Sequence, residues 1–330
     1  MILSLIVSND SIMKPPYDIS PVILKLITSI SEKVGEINAN LMNKPSPQLR
    51  KQNRIKTIHS SLSIEGNTLT QEQVTAIIEN KRIIGPKKDV LEVLNAVKVY
   101  DNLTMLNPVS SSSFLKAHKL LMEGLIDNPG NYRNQGVGIY QGSQVAHIAP
   151  PFENVPALMK DLFSYLKNKE ELTLIKSCVF HYEMEFIHPF FDGNGRMGRL
   201  WQTLILMNEY PVFEFLPFET LISQTQNEYY EALGHSDKLG KSTPFIEYML
   251  GVIEKSLIEL LDFNNRILTD NDRLEYFISL GKKEFTRKDY MNVFKDISTA
   301  TASRDLKKGV KLNHFEKTGE MNKTIYKIKE

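Results

Sequence analysis

Apolar residues recur at helical spacing along most of the chain. From Pro21 to Met42 they fall at Val22, Ile23, Leu26, Ile27, Ile30, Val34 and Ile37, one face of a helix. Pro21 suits the first turn, where its missing N–H costs nothing. Pro45-Ser46-Pro47 ends that run, and Leu49 to Ile64 predicts a second helix with Lys and Arg along one side. Thr70 and Gln73 have capping-box spacing and open a helix to Asn80. Helices over Asp89–Leu103 and Ser111–Leu125 follow, then Val155–Lys167, Leu172–Ile187 and Leu200–Met207. A break around Pro211 to Pro217, a helix containing Gln226–Leu233 and another over Pro244–Phe263 complete the pattern. Residues 1–20, with Pro15 and Pro16, read as an extended lead-in.

Two stretches depart from the helical period. Between Gly130 and Pro151, Val137–Tyr140 alternates, Gln141-Gly142-Ser143-Gln144 turns and Val145–Ile148 runs back, which predicts a β-hairpin. Beyond residue 265 the basic residues outnumber the acids. There the order is helix (272–280), helix (288–294), turn, helix (298–308) and a hairpin of Leu312–Phe315 with Thr324–Ile328. That order looks like a winged helix-turn-helix, with Ser298–Asp305 as the recognition helix and duplex DNA a possible partner of residues 266–330. Many such modules contact proteins instead, and both partners stay open. The fold class is mainly α with one hairpin. Its divisions are an N-terminal helical region (1–110), a core (111–264) and the terminal module (265–330).

Composition narrows the function classes. A net charge of +1 over 330 residues excludes a chain that works as a whole by binding nucleic acid or membranes electrostatically. A single cysteine, Cys178, excludes an intrachain disulfide and a cysteine-based zinc site, and fits a reducing, cytoplasmic setting. Met1–Val7 is apolar but too short to span a bilayer. His118 and His181 each lie on an apolar helix and read as packing residues; His181 lacks the spacing of a zinc hydrolase.

The chemistry concentrates between His188 and Arg199, a charged turn set between two apolar runs. Gly193 and Gly195 remove side chains, so backbone N–H groups can converge, and the helix that begins near Arg196 adds its positive end. Arg196 and Arg199, three apart, share a face and can reach one polyanion. Asp192 is a hard oxygen ligand suited to Mg²⁺ carried in on phosphates. His188 can accept a proton near neutral pH. A triphosphate, a metal and a base in one loop point to transfer of a phosphate-containing group.

Residues 188–199, His-Pro-Phe-Phe-Asp-Gly-Asn-Gly-Arg-Met-Gly-Arg, resemble the Fic motif at every defined position. The resemblance implies a Fic helical bundle and protein adenylylation, transfer of AMP from ATP to a Ser, Thr or Tyr hydroxyl of a protein or of the enzyme itself. It implies His188 as the catalytic base, Asp192 as the Mg²⁺ ligand, and Asp192, Gly193, Asn194, Gly195, Arg196, Met197, Gly198 and Arg199 as the ATP-binding stretch. The hairpin at 130–151 corresponds to the family's flap, which covers the nucleotide and docks the target as an added strand. Val145, Ala146, His147 and Ile148 are therefore placed near ATP. His147 is a second imidazole there, but the motif fixes the base at His188. Ser61-x-x-x-Glu65-Gly66 resembles the family's inhibitory motif, whose glutamate pairs with the last arginine, here Arg199, and obstructs the γ-phosphate. Tyr229 is the candidate aromatic beside the base. Family members often carry an asparagine about eight residues on, where this chain has Asp237. A homodimer is a possible assembly. Two readings compete with the adenylyltransferase: a DNA-binding regulator that uses the core as a nucleotide sensor, and removal of AMP by the same site.

Overall fold

Helices dominate the computed structural model, which describes residues 14–40, 47–141, 144–265, 269–280, 282–294, 297–319 and 324–329. Met1–Val7 and the Pro45-Ser46 break lie outside them. The chain divides into two compact units, Met1–Leu261 and Asp262–Glu330.

The first unit contains α1 (Pro21–Asn40), α2 (Pro47–Ile64), α3 (Gln71–Ile78), α4 (Lys87–Asp101) and α5 (Ser111–Met122). After a hairpin come α6 (Val155–Tyr165), α7 (Thr173–Ile187), α8 (Asn194–Glu209), α9 (Glu219–Gln224), α10 (Gln226–Leu239) and α11 (Thr243–Asn265). The predicted capping box of α3 forms: Thr70 Oγ1 accepts from the Gln73 N–H, and Gln73 Oε1 accepts from the Thr70 N–H. α8 starts at Asn194, two residues before the start read near Arg196 and six before the apolar run at Leu200. The charged motif is itself its first turns, and the arginines face inward. A 3₁₀ turn (Pro211–Glu214) occupies part of the stretch read as a break, and α9 follows it.

α7 and α8 form the central antiparallel pair, α6 covers α7, and α2 packs on α3, α4, α8 and α9. One continuous hydrophobic core runs from Ile23 to Leu261, so residues 1–110 and 111–261 are not separate cores. At its centre Phe114 meets Trp201 edge-on at 5.0 Å and Phe163 at 5.5 Å, and stacks with Phe190 at 5.4 Å. Phe190 belongs to the motif loop, so that loop is anchored in the core rather than laid over it.

The hairpin pairs β1 (Gly138–Gln141) with β2 (Gln144–Ile148), antiparallel, with Gly138 opposite Ile148 and Ile139 opposite His147. The register shifts between Ile139 and Tyr140, a bulge that bends the strand. Side chains of residues 139–147 lie outside the described part, so only the strand positions of Val145, Ala146 and His147 are known. Ile148 is 78% exposed.

The second unit comprises α12 (Asp270–Ser279), β3 (Glu284–Phe285), α13 (Arg287–Val293), α14 (Thr299–Lys311), β4 (Phe315–Thr318) and β5 (Ile325–Ile328). The sheet order is β3-β5-β4, both pairs antiparallel. The strand expected at Leu312–Phe315 begins only at Phe315, because α14 runs on to Lys311 and Asn313 turns the chain with φ 64°. Gly309 lets the Phe315 ring lie directly on α14; a Cβ there would stand 2.5 Å from the ring. Among the described residues no helix is long and apolar enough to cross a membrane.

Phe114 is fully buried and touches four other aromatic rings. Phe114→Ala is expected to cost about 3–5 kcal/mol, measured as a lower denaturant midpoint at unchanged slope.

Candidate functional site

α7 ends at His188, whose backbone takes the left-handed conformation (φ 49°, ψ 61°), unusual for a side chain with a Cβ. Such a residue persists only where its surroundings over-determine it. Here they do, through Arg133. This buried guanidinium donates from Nε to the His188 carbonyl (2.8 Å) and from Nη2 to the carbonyls of Ile187 (3.3 Å) and Pro150. Its Nη1 donates to Gln135 O (3.0 Å), and its backbone N–H to Pro189 O (2.9 Å). Gln135 and Pro150 flank the hairpin, so one side chain ties the hairpin's base to the backbone that carries His188.

The loop after His188 is braced internally. Asn194 spans it, accepting from Phe190 N–H (3.0 Å) and donating to Phe190 O (2.9 Å). Its carboxamide is engaged by the loop, and what it can offer an anion is its backbone N–H. Gly193, at φ 87°, passes Met122 so closely that a Cβ would stand 2.8 Å from the sulfur. His118 stacks flat on Phe190 at 3.5 Å. Its Nδ1 accepts from Gly130 N–H (2.9 Å), which leaves Nε2–H to donate to Asp192 O (3.0 Å). Burial pushes this imidazole down to about 4, so it is neutral at pH 7.

α8 then begins, and its first intrahelical bond is Met197 N–H to Gly193 O. The N–H groups of Asn194, Gly195 and Arg196 precede that bond and form a positive helix terminus. Arg196 does not share a partner with Arg199. It donates to Asp192 Oδ1 (2.9 Å) and to Glu92 Oε1 on α4 (3.2 Å), and Glu92 in turn holds Asn67 (2.8 Å). Arg199 is fully buried and turns to the end of α2. Nε donates to Ser61 Oγ (3.1 Å), and Nη2 to Ser61 O (2.9 Å) and Glu65 Oε1 (2.7 Å). Burial is the largest single influence and works against its charge, but Glu65, with Tyr229 and Glu185 behind it, outweighs it and holds the pKa above the usual guanidinium value. Nη1 is buried with no hydrogen-bond partner. Glu65 itself rests against Gly195: a Cβ on Gly195 would collide with Oε1 and stand 3.1 Å from Arg199 Nη1. Glu65, Arg199 and the phosphate-type turn thus converge on one point.

Asp192 keeps 46% of its side chain exposed at the mouth of this turn. Among the described residues no group of three or more His, Cys, Asp or Glu can hold a metal, so a lone carboxylate is what the loop offers. That fits a cation arriving already bound to phosphates better than a resident one.

Residues 108–206 match the Fic/DOC family. A Fic family protein from Desulfovibrio desulfuricans G20 has a crystal structure to which this chain is 40% identical, with a TM-score of 0.73, over 96% of this chain and 98% of that one. The chain belongs to the Fic family. It is also 28% identical over 251 residues to protein adenylyltransferase fic-1 of Caenorhabditis elegans, and 27% over 252 residues to protein adenylyltransferase Fic of Nematostella vectensis. These matches cover 72% of this chain but 47% and 57% of those proteins, so it spans about half the length of the curated relatives it matches.

Other motif positions have packing roles in this Fic protein. Met197 is fully buried, and Gly198 brings α8 against α7, since a Cβ there would stand 2.6 Å from His181. Tyr229, the candidate aromatic beside a base, lies on the inner face of α10. It is 2% exposed, with its hydroxyl 3.1 Å from His181 Nε2 and its ring against Phe245. Its neighbour Tyr230 is the one 39% exposed. Asp237 accepts a hydrogen bond from Tyr182 OH (2.9 Å). Nearby, burial first and Asp237 second push Glu183 up to about 7. Arg133, His118, Glu92 and Asn67 carry no local signal in the sequence. Arg133 could have been suspected only as a lone cation beside a predicted hairpin.

Because folding lowers the His118 pKa, the unfolded chain binds the extra proton first as pH falls. Stability held by neutral His118 starts to fall near pH 6.5 and is gone by about pH 4. His118→Gln should unfold more readily than wild type at pH 7. The gap should shrink by about 2 kcal/mol at pH 5, read from paired denaturation curves; a gap independent of pH would remove the neutral brace.

Proposed function

We propose that this Fic protein transfers AMP from ATP to a hydroxyl of a protein, itself included, and that Glu65 restrains it. The observation that carries the reading is the convergence on Gly195 of an unpaired helix terminus, a buried arginine with one free nitrogen, and a carboxylate lying where a phosphate would bind.

In this reading the N–H groups of Asn194, Gly195 and Arg196 and the guanidinium of Arg199 hold the phosphates. His188 accepts the proton of the target hydroxyl as its oxygen attacks the α-phosphorus. The bond from that phosphorus to the β-phosphate oxygen breaks, and pyrophosphate leaves with the electron pair. Asp192 would hold Mg²⁺ arriving with the nucleotide, and the ion when bound neutralises charge on the phosphates. β2 offers main-chain groups on which a target segment can add as a strand, and Arg133 fixes that edge relative to His188. Glu65 competes with phosphate for Arg199. The D. desulfuricans likeness and the adenylyltransferase relatives support the reading, as does the twelve-residue motif. The single cysteine suits a reducing, cytoplasmic setting.

Two variants test it with α-labelled ATP and Mg²⁺. Glu65→Gly should raise label in the full chain about tenfold or more, the gain from freeing one charged contact. If it labels no better than wild type, the restraint is misassigned. Adding His188→Ala should lower label by about 10²–10⁴-fold while nucleotide still protects against heat. Label that survives would sink the base assignment.

A further inference from the structure

We infer that α14 presents a surface for duplex DNA, a function separate from the nucleotide site. Residues 262–330 hold fifteen Lys and Arg against eleven Asp and Glu, a net +4, whereas residues 1–261 carry −3. The unit is therefore the basic part of a nearly neutral chain.

The charge is also sorted by face. α14 contains one acid, Asp305, and it points inward. It is 2% exposed and bound by Arg273 Nε (2.6 Å) and Nη2 (3.0 Å), with Tyr290 OH at 3.2 Å. Ala302, Leu306 and Gly309 share that inner face. The opposite face presents Ala300, Ser303, Arg304, Lys307 and Lys311 at helical spacing, with Arg304, Lys307 and Lys311 exposed. Arg287, at the start of α13, donates to Ser303 Oγ (3.1 Å) and so adds a fourth cation to the stripe. Lys308 lies off it, paired with Asp270 (2.8 Å).

The composition of this stripe selects the partner. A protein interface would need apolar or aromatic anchors, and the stripe has none. Small and hydroxylated side chains at Thr299, Ala300 and Ser303 let the first turns approach base edges, while the cations further along suit phosphates. The element order α12-β3-α13-α14-β4-β5 places α13 and α14 as a helix-turn-helix followed by a two-stranded wing. A helix enters the major groove of B-form DNA but not the deep, narrow one of A-form RNA, which favours duplex DNA.

The test uses the full chain and a fluorescent mixed-sequence DNA duplex of about 25 base pairs. Anisotropy should show binding at 50 mM salt. Four cations predict a log–log salt slope of about −3.6, hence about 10²-fold weaker binding at 200 mM. Arg304→Ala with Lys307→Ala should cut that slope by about two without moving the melting temperature, since both side chains are exposed. Lys238→Ala, in α10, should change nothing. No binding at 50 mM salt, an unchanged slope in the double variant, or equal binding of an RNA duplex would each overturn the proposal.

Discussion

Arg199 is a guanidinium with no contact with solvent, and much of the first unit is arranged so that it is never without a partner. A buried charge of this kind is tolerable only when paired and hydrogen-bonded. α2 supplies that pairing twice over, through Ser61 and Glu65, and Gln226 of α10 holds the end of α2 by donating to Ile64 O (2.9 Å). Arg196, one turn earlier, is tied less directly, through Glu92 to Asn67 just beyond Glu65. The Ser61–Glu65 segment is thus part of the core's electrostatic closure. In the proposed reading, a triphosphate replaces one anionic partner of Arg199 with another, which keeps the charge paired throughout.

The loop between α7 and α8 solves a second problem, that of holding a left-handed histidine and a glycine turn still without using the groups that face outward. Its inward-facing atoms do this. Phe190 sits in the aromatic core, Asn194 closes the turn on itself, and His118 grips the Asp192 carbonyl. Arg133 adds the hairpin to the same rigid body. The N–H groups at the start of α8 are left over, and in the proposed reading that surplus holds the phosphates.

Much of this was legible in the residues. The mainly helical class follows from apolar periods such as those of 21–42 and 172–187. The motif is readable because so many chemically distinct positions fall in twelve residues. Other features were hidden for identifiable reasons. Adjacent residues on a helix point about 100° apart, and nothing in Tyr229-Tyr230 says which one faces inward; the ring contacts to His181 and Phe245 decide it. Glu92 looks like any surface carboxylate on α4 until Arg196, 104 residues away, arrives beside it. His118 reads as a packing residue in the sequence, but its stacking on Phe190 depends on a partner far along the chain. The two residues of β3 are too few for any period, and only pairing with β5 makes them a strand.

The pairing of Glu65 with Arg199 spans 134 residues, and Glu65 comes first. At translation speeds of about 5–20 residues per second, the carboxylate is made some ten seconds before the arginine it covers. When α8 emerges, α2, α3 and α4 have already been synthesised. The order of the elements along the chain therefore means that during synthesis the phosphate-type turn is never complete before its cover exists. A circular permutation that moved α2 to the C-terminus would keep every contact but reverse that order.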